Sequence, residues 1–247
     1  MSAWPVATDL APYRAAVAEL APLVRIAEAD GVGALRVIDG RGAWWDRLER
    51  MADAPGIVVD EPQPAPAAAH ARVQKLAVPV VIARRRLRAD VVADARPPVA
   101  PTHVTVDAWG APSEASALLR DAVGWARVLA GGPLEVVARA ETPVADVRAL
   151  AGPGVGVSVT RSVGGAGVGD ALTALTLGPR RVEVRVDSAA ATIEVVHEDA
   201  AGRVVLAPRR EAAERLALRR LLEALRAGER LTDLEDLRRD DAIASMT

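Results

Sequence analysis

The residues best placed to do chemistry follow a short apolar run at positions 57–59, where the chain continues Asp60-Glu61-Pro62. A buried strand that presents carboxylates at its end is a common way to build an active site. Successive side chains of a strand point to opposite faces, so Asp60 and Glu61 would not form an acid–base pair on one face. One of them could act as a base if burial raised its pKa. The alternative is an ordinary strand end that continues into a solvated loop.

A run of arginines, Arg84, Arg85 and Arg86, follows the next apolar segment along the chain. Guanidinium groups at a strand end can bind an anionic ligand because they offer several hydrogen-bond donors in a fixed plane. A solvated or structurally paired role is the more common one for such a run. We therefore take these three arginines as candidate ligand-binding residues, with the structural role as the alternative.

Residue types that many active sites need are scarce. The chain has no cysteine, which excludes disulfides, a thiol nucleophile and cysteine-ligated metals. Its three histidines, His70, His103 and His197, are far apart in sequence. Isolated histidines of this kind are more often surface or core residues than catalytic ones. We predict no metal site.

Glycine-rich stretches do not form a nucleotide-binding motif. The "GVG" at 31–33 has no third glycine at the required offset, and "GGAGVG" at 164–169 does not fit G-x-G-x-x-G. Lys75, the single lysine, is not preceded by a phosphate-binding loop. Both stretches are typical of turns or flexible loops, so we predict no bound cofactor.

Composition limits the classes of partner. The 247 residues carry 31 basic and 33 acidic side chains, which gives no indication of a nucleic-acid or membrane surface. The first residues lack the basic and apolar regions of a signal peptide, and no apolar run is long enough to cross a bilayer. We expect a soluble, cytoplasmic protein.

The elements that must position these residues differ between the two halves of the chain. In residues 1–95, apolar strand segments alternate with helical segments, a pattern typical of a parallel, doubly wound sheet. A proline-rich stretch at 95–102 marks a boundary. In residues 96–247 short alternating segments predict a large, mainly antiparallel and open-faced sheet, and leucines at helical spacing predict C-terminal helices. The predicted fold is therefore α/β followed by α+β.

The order of these segments resembles the Gfo/Idh/MocA family of nicotinamide-dependent sugar and polyol oxidoreductases. Three stretches are similar to family features. "GIVVDEPQPAP" resembles the strand that ends in Glu-Lys-Pro, "LLRDAVGWARVLAGGPLEVVARA" the helix that carries the catalytic histidine, and the segment from 215 to 246 the terminal helix pair. The resemblance implies a Rossmann-like domain followed by a domain whose open sheet face forms subunit contacts.

The departures from the family pattern concern its chemistry. Glu61 stands where the family has its catalytic lysine, and Asp121 stands where it has its histidine. A carboxylate reverses the charge and, when ionised, accepts hydrogen bonds only. Only one strand is predicted before "ALRVIDG", so the strand, glycine loop and helix that would bind pyrophosphate are expected to be missing. The resemblance thus implies a truncated and degenerate member.

Three functions remain open. The first is a non-catalytic partner subunit in a bacterial metabolic or biosynthetic pathway. It would form a homo-oligomer, or a hetero-oligomer with a full-length relative, through the antiparallel sheet. The second is a cofactor-free enzyme for proton abstraction, elimination or isomerisation of a sugar-like substrate, with Glu61 as base, Asp121 as second carboxylate and the three arginines as oxyanion partners. The third is a dehydrogenase subunit whose nucleotide site comes from a partner chain.

Overall fold

The computed structural model describes residues 3–28, 31–164 and 169–246. The chain divides into two compact units, the first being Met1–Arg85 with Arg210–Arg238 and the second Arg86–Arg209 with Arg239–Thr247. This division differs from the boundary predicted after residue 95. The first unit ends earlier, and it also includes a segment from near the end of the chain, because the leucines of that segment pack in its core.

The helices and strands of the described residues are as follows. The helices are α1 (Ala11–Glu19), α2 (Trp44–Arg50), α3 (Ala67–Val73), α4 (Ala89–Ala95), α5 (Ala115–Ala130), α6 (Ala213–Ala227) and α7 (Asp233–Ala244). The strands are β1 (Trp4–Ala7), β2 (Val24–Ile26), β3 (Leu35–Asp39), β4 (Ile57–Asp60), β5 (Val80–Ala83), β6 (His103–Gly110), β7 (Glu135–Thr142), β8 (Ala145–Gly152), β9 (Val155–Val163), β10 (Ala171–Leu177), β11 (Arg181–Asp187), β12 (Thr192–Asp199) and β13 (Gly202–Val205).

The first unit is built on a parallel five-stranded sheet in the order β2-β1-β3-β4-β5. Two strands precede β3, so the prediction of a single strand there is wrong. Strand β1 has four residues and contains Pro5, which lacks the N–H that a strand interior normally uses. Pro5 lies before the residues of β1 that pair with β3, Val6 and Ala7. The sheet therefore tolerates it.

Helices cover both faces of this sheet. On one face α1 and α6 contribute Tyr13, Val17, Leu218 and Leu221 to a common core with strand residues. On the other face the core includes Trp44 and Leu48 from α2, together with residues of α3 and α7. Strands β4 and β5 are buried on both sides, and this explains their continuous apolar runs.

The second unit is built on an eight-stranded sheet in the order β13-β12-β11-β10-β6-β9-β8-β7. Among the described strands of this sheet, only the β6–β9 pair is parallel, so the sheet is mainly antiparallel, as predicted. Helix α5 packs on one face over a core that includes Val106, Val159, Leu172 and Trp125. The predicted fold class is confirmed.

The other face of this sheet is here called the open face, and its central strands present mostly small, hydroxyl-bearing and apolar side chains. Three large apolar residues on it, Trp109, Val147 and Leu177, are 39, 43 and 44% exposed. The central part of the open face comprises Thr105, Asp107, Trp109, Ala145, Val147, Ala149, Ser158, Thr160, Thr173, Leu175 and Leu177.

The position of β1 marks the point where a ligand would be expected. Strand β1 lies between β2, which follows it in sequence through α1, and β3 on its other side. In open α/β sheets, ligands bind at the carboxyl ends of the strands where the strand order reverses in this way.

None of the helices in the described part of the chain is long and apolar enough to cross a membrane.

Candidate functional site

Asp60 lies at the carboxyl end of β4, where its carboxylate meets two other side chains. The Tyr13 hydroxyl donates a hydrogen bond of 3.0 Å to Asp60 Oδ1, and Arg85 Nη2 lies 3.6 Å from Oδ2. The same Arg85 nitrogen lies 3.1 Å from Glu214 Oε1, contributed by α6. Tyr13 is completely buried and the Asp60 side chain is 16% exposed. These four residues form the Asp60 cluster.

The environment of this cluster favours a proton on Asp60. Burial raises the pKa of the Asp60 carboxyl, and the Arg85 charge and the Tyr13 hydrogen bond offset only part of that effect. Burial, reinforced by the charge of Asp60, also raises the pKa of the Tyr13 hydroxyl. Tyr13 is therefore a fixed neutral donor, and Asp60 is the group that could exchange a proton.

Replacing Asp60 by asparagine should stabilise the protein at pH 7 by about 1 kcal/mol, because the buried charge is removed while an oxygen acceptor for Tyr13 remains. A carboxyl whose pKa is raised by folding stabilises the fold when protonated. That contribution is lost as the pH rises through the folded-state pKa. The advantage of Asp60→Asn should therefore shrink as the pH falls towards 4. Urea unfolding of both proteins from pH 4 to 8 measures this difference in the free energy of unfolding.

The exposed Asp53 provides the control, since Asp53→Asn should change the free energy of unfolding little at any pH. An Asp60→Asn protein that is less stable than the native one at pH 7, or whose advantage does not vary with pH, would contradict the assignment of Asp60 as a buried, proton-binding group.

Glu61, the predicted catalytic base, is bonded to the backbone of the next strand end. Its carboxylate accepts a short hydrogen bond from the Arg85 backbone N–H, and its own N–H donates to Ala83 O at 2.9 Å. Its φ of +46° lies in the left-handed region that side chains other than glycine rarely adopt. Glu61 thus ties the end of β4 to the end of β5, a role unlike that of a free base.

Gly40 allows the turn after β3 to approach the turn after β4. Its N–H donates to Asp60 O at 2.7 Å, and its carbonyl accepts from Gln63 N–H at 2.8 Å. A Cβ at this position would lie 2.3 Å from Pro62 Cα and 2.4 Å from Asp60 O. Glycine is therefore required here, and the Asp60 cluster depends on it for its position.

The start of α1 does not fit a dinucleotide. In Rossmann-type folds the pyrophosphate meets free N–H groups at the start of the first helix, after a glycine-rich turn. Here Leu10 N–H donates to Thr8 Oγ1 at 3.1 Å, Pro12 has no N–H, and Tyr13 N–H donates to Leu10 O at 3.1 Å. The turn contains no glycine, and its Asp9 side chain is 93% exposed. An approaching pyrophosphate would meet a carboxylate and few available donors.

Asp121, the second predicted catalytic carboxylate, lies in α5 within a buried ion cluster of the second unit. Its Oδ1 lies 3.1 Å from Arg120 Nη2 and its Oδ2 lies 3.5 Å from Arg86 Nη1. Arg86 also lies 2.7 Å from Asp170 and 2.9 Å from Glu114. Asp121 is 1% exposed. Two guanidinium groups thus lie against its two oxygens in the interior of the second unit, an arrangement typical of a structural ion cluster.

The three predicted ligand-binding arginines have separate environments. Arg84 is buried, Arg85 belongs to the Asp60 cluster of the first unit, and Arg86 belongs to the ion cluster of the second unit. The structure therefore brings Glu61 together with Arg85, and Asp121 together with Arg86. Residues 165–168 of the predicted glycine-rich loop lie outside the described residues.

Two members of the Asp60 cluster, Tyr13 and Glu214, are not apparent as site residues from the sequence. Tyr13 is the single tyrosine of a chain with few aromatic residues. This rarity is the sequence feature that could have marked it as a candidate site residue. Glu214 lies more than a hundred positions beyond the residues it meets. No local pattern links positions so far apart.

No protein-family model and no curated protein sequence matches the chain. Solved structures do share its fold. An oxidoreductase from Sinorhizobium meliloti matches with a TM-score of 0.73 at 10% identity, covering 99% of this chain and 96% of that one. UDP-N-acetylglucosamine 3-dehydrogenase from Acidithiobacillus ferrooxidans matches with a TM-score of 0.67 at 12% identity and the same coverage.

A third similar structure is a lysine-to-glutamate mutant of a 3-ketoreductase from Actinomadura kijaniata, in complex with TDP-benzene and NADP. It matches with a TM-score of 0.64 at 16% identity, covering 98% of this chain and 96% of that one. The chain therefore has the fold of NAD(P)-dependent oxidoreductases of the Gfo/Idh/MocA type. The resemblance inferred from the sequence is confirmed at the level of fold, while the truncation and degeneracy stay predictions.

Proposed function

We propose that this chain does not transfer hydride from NAD(P) with its own residues, and that it acts as a partner subunit that assembles through the open face. The observation that carries the proposal is the start of α1. Two of its N–H groups, those of Leu10 and Tyr13, are already bonded within the chain, and Pro12 supplies none. A fold of this kind needs those groups to hold a dinucleotide.

The two carboxylates at the family's catalytic positions support the same proposal. Glu61 is bonded to a backbone N–H, and Asp121 is paired with two arginines. The glutamate alone would not be a sufficient argument, since the Actinomadura mutant with glutamate in place of a lysine is in complex with NADP. The argument against a dinucleotide therefore rests on α1.

The open face favours association with another protein. It exposes Trp109, Val147 and Leu177, and its described central part carries a single carboxylate, Asp107. Large apolar side chains grouped on an exposed sheet face are typical of a protein–protein interface. Assembly would bury these side chains and leave Asp107 near the middle of the contact.

The charges on the β11–β12 part of the open face favour a second copy of the same chain as the partner. Strand β11 carries Arg181, Glu183 and Arg185 in alternation, and Glu194 and Glu198 on β12 pair with the two arginines at 3.9 and 3.6 Å. A surface that alternates in sign can be complementary to itself across a two-fold axis. We therefore propose a homo-oligomer, with a full-length relative as the alternative partner.

Replacing Asp107 by arginine should convert the oligomer into a monomer, because a longer charged side chain would then lie at the centre of the interface. Sedimentation velocity at micromolar concentrations measures the change. A weakening of at least about 100-fold is expected for a residue at an interface centre. The control is Asp53→Arg, an exposed aspartate of the first unit, and it should leave assembly unchanged.

Two results would overturn the proposal. A native protein that is monomeric at these concentrations would refute self-assembly. If it then associates with a full-length relative, the hetero-oligomer replaces the homo-oligomer as the proposed assembly. Micromolar binding of NADH or NADPH by the isolated chain, measured by calorimetry, would refute the conclusion that the start of α1 does not fit a dinucleotide.

A second candidate function, cofactor-free proton transfer on a sugar-like substrate, is favoured by the Asp60 cluster. A buried carboxyl of raised pKa beside a phenol donor and a guanidinium has the composition of an acid–base site. Asp60 would be the base in place of Glu61. Solvent deuterium incorporation into keto sugars that is abolished by Asp60→Asn, with assembly unchanged, would favour this candidate over the first.

A further inference from the structure

Arg161 lies near the end of β9, on the face of the sheet that packs against α5. It follows Val155, Val157 and Val159 on that face, all of them buried core residues. Arg161 is itself 9% exposed, and its Nε has no hydrogen-bond partner. Among the residues that the structure describes, no carboxylate lies within ion-pair distance of its guanidinium. It is a charged group in a position that the strand pattern assigns to an apolar one.

The carboxylate nearest in register is already engaged by other arginines. Asp146 on β8 pairs directly with Arg161 in the ladder. Its two oxygens accept from Arg148 at 2.8 and 3.0 Å, and Oδ2 also accepts from Arg139 at 3.2 and 3.1 Å. On the other side of Arg161 the ladder continues to Ala108 and then to Leu172, neither of which has a polar side chain.

This region therefore has an excess of positive charge. Arg139, Arg148 and Arg161 surround one buried carboxylate, and the second acid, Glu141, pairs with Arg139 at the exposed edge. A buried arginine elsewhere in this unit is balanced. Arg120 lies 3.1 Å from the Asp121 carboxylate.

A mostly buried guanidinium whose Nε has no partner is unfavourable, since the desolvation of that nitrogen is not offset by a hydrogen bond or an ion pair. A planar guanidinium is also the side chain best matched to a group with two oxygens, which it binds through two parallel hydrogen bonds. The remaining exposed fraction of Arg161 gives a small ligand access to it.

We propose that Arg161 anchors a binding site in the second unit for an oxyanion, the carboxylate or phosphate group of a small metabolite. The bound anion supplies the counter-charge that the chain itself does not. This site is independent of the proposed assembly, because Arg161 lies on the opposite face of the sheet from the open face. A ligand here would also explain why an arginine follows three valines on the buried face of β9.

Nuclear magnetic resonance of protein labelled with ¹⁵N-arginine tests the proposal on the native chain. Sodium phosphate and sodium acetate are titrated separately, with sodium chloride at matched ionic strength as the control. The Arg161 Nε–Hε signal is assigned by its loss in Arg161→Met, or in Arg161→Lys if the methionine variant does not fold. We expect this signal to shift saturably with phosphate or acetate, and the anion that acts at lower concentration identifies the ligand class.

Thermal unfolding gives a second readout. The anion that shifts the signal should raise the Tm of the native protein by about 2 °C or more at saturating concentration, and should not do so for Arg161→Met. Arg180→Met is the matched control, since Arg180 already pairs with Asp199 at 3.3 Å, and it should keep the full anion response. No saturable shift with either anion, an equal shift with chloride, or an undiminished Tm response in Arg161→Met would overturn the proposal.

Discussion

Replacing Asp121 by asparagine should lower the free energy of unfolding of the second unit by about 3 kcal/mol, because the buried Arg120 then loses its nearest carboxylate. Arg120 is almost completely buried and lies 3.1 Å from Asp121. Arg86 retains Asp170 at 2.7 Å. The expected loss of stability is therefore at the lower end of the range for breaking a buried ion pair. Asparagine preserves the shape of the side chain, so the change isolates the charge.

Hydrogen exchange of α5 amides in increasing urea measures this effect in the second unit alone. The control is Asp107→Asn, which changes the same chemical group at an exposed position of the same unit and should cost less than about 0.5 kcal/mol. An Asp121→Asn protein as stable as the native one would show that the ion cluster contributes little, and Asp121 would again be a candidate for catalysis.

Replacing Gly40 by alanine should destabilise the first unit by about 3 kcal/mol, since the added methyl group would overlap backbone atoms that cannot rotate away. Its position is 2.3 Å from Pro62 Cα and 2.4 Å from Asp60 O. Relief requires the turns after β3 and β4 to separate, and the Asp60 cluster would be displaced with them. Urea unfolding followed by hydrogen exchange of β3 and β4 amides measures the loss.

Gly228→Ala distinguishes overlap from backbone strain. Gly228 follows α6 with a φ of +63°, and a Cβ there would meet no atom within 4 Å. Its replacement should cost about 1 kcal/mol through strain alone. Equal losses in the two variants would mean that the close approach at Gly40 is relieved more easily than its geometry indicates.

The fold was largely predictable because its signals are local. Continuous apolar runs predicted β4 and β5, alternation predicted the strands of the second sheet, and leucine spacing predicted α6. Strand β1 was missed because Pro5 is atypical of a strand interior. The membership of α6 in the first unit was missed for another reason: helical periodicity shows that a helix has an apolar face, but not which core receives it.

The candidate site was predicted less well. The sequence placed Asp60 and Glu61 at a strand end correctly, but it favoured Glu61, whose left-handed backbone and bond to Arg85 N–H follow from tertiary structure. Tyr13 and Asp60 are 47 positions apart, and no spacing rule connects them. Arg161 was visible as an interruption in a row of valines, although only the structure shows that Asp146, its partner in the ladder, is already paired with other arginines.

The return of α6 to the first unit also determines when that unit can fold during synthesis. Leu218, Leu221 and Leu222 complete one of its two cores, yet they are translated after almost all of the second unit. At roughly 5–20 residues per second, the first 85 residues wait about 8–30 s for the segment that closes their sheet. Until then α1 alone covers that face of the parallel sheet, and a chaperone or a neighbouring nascent chain can reach the part that α6 later buries.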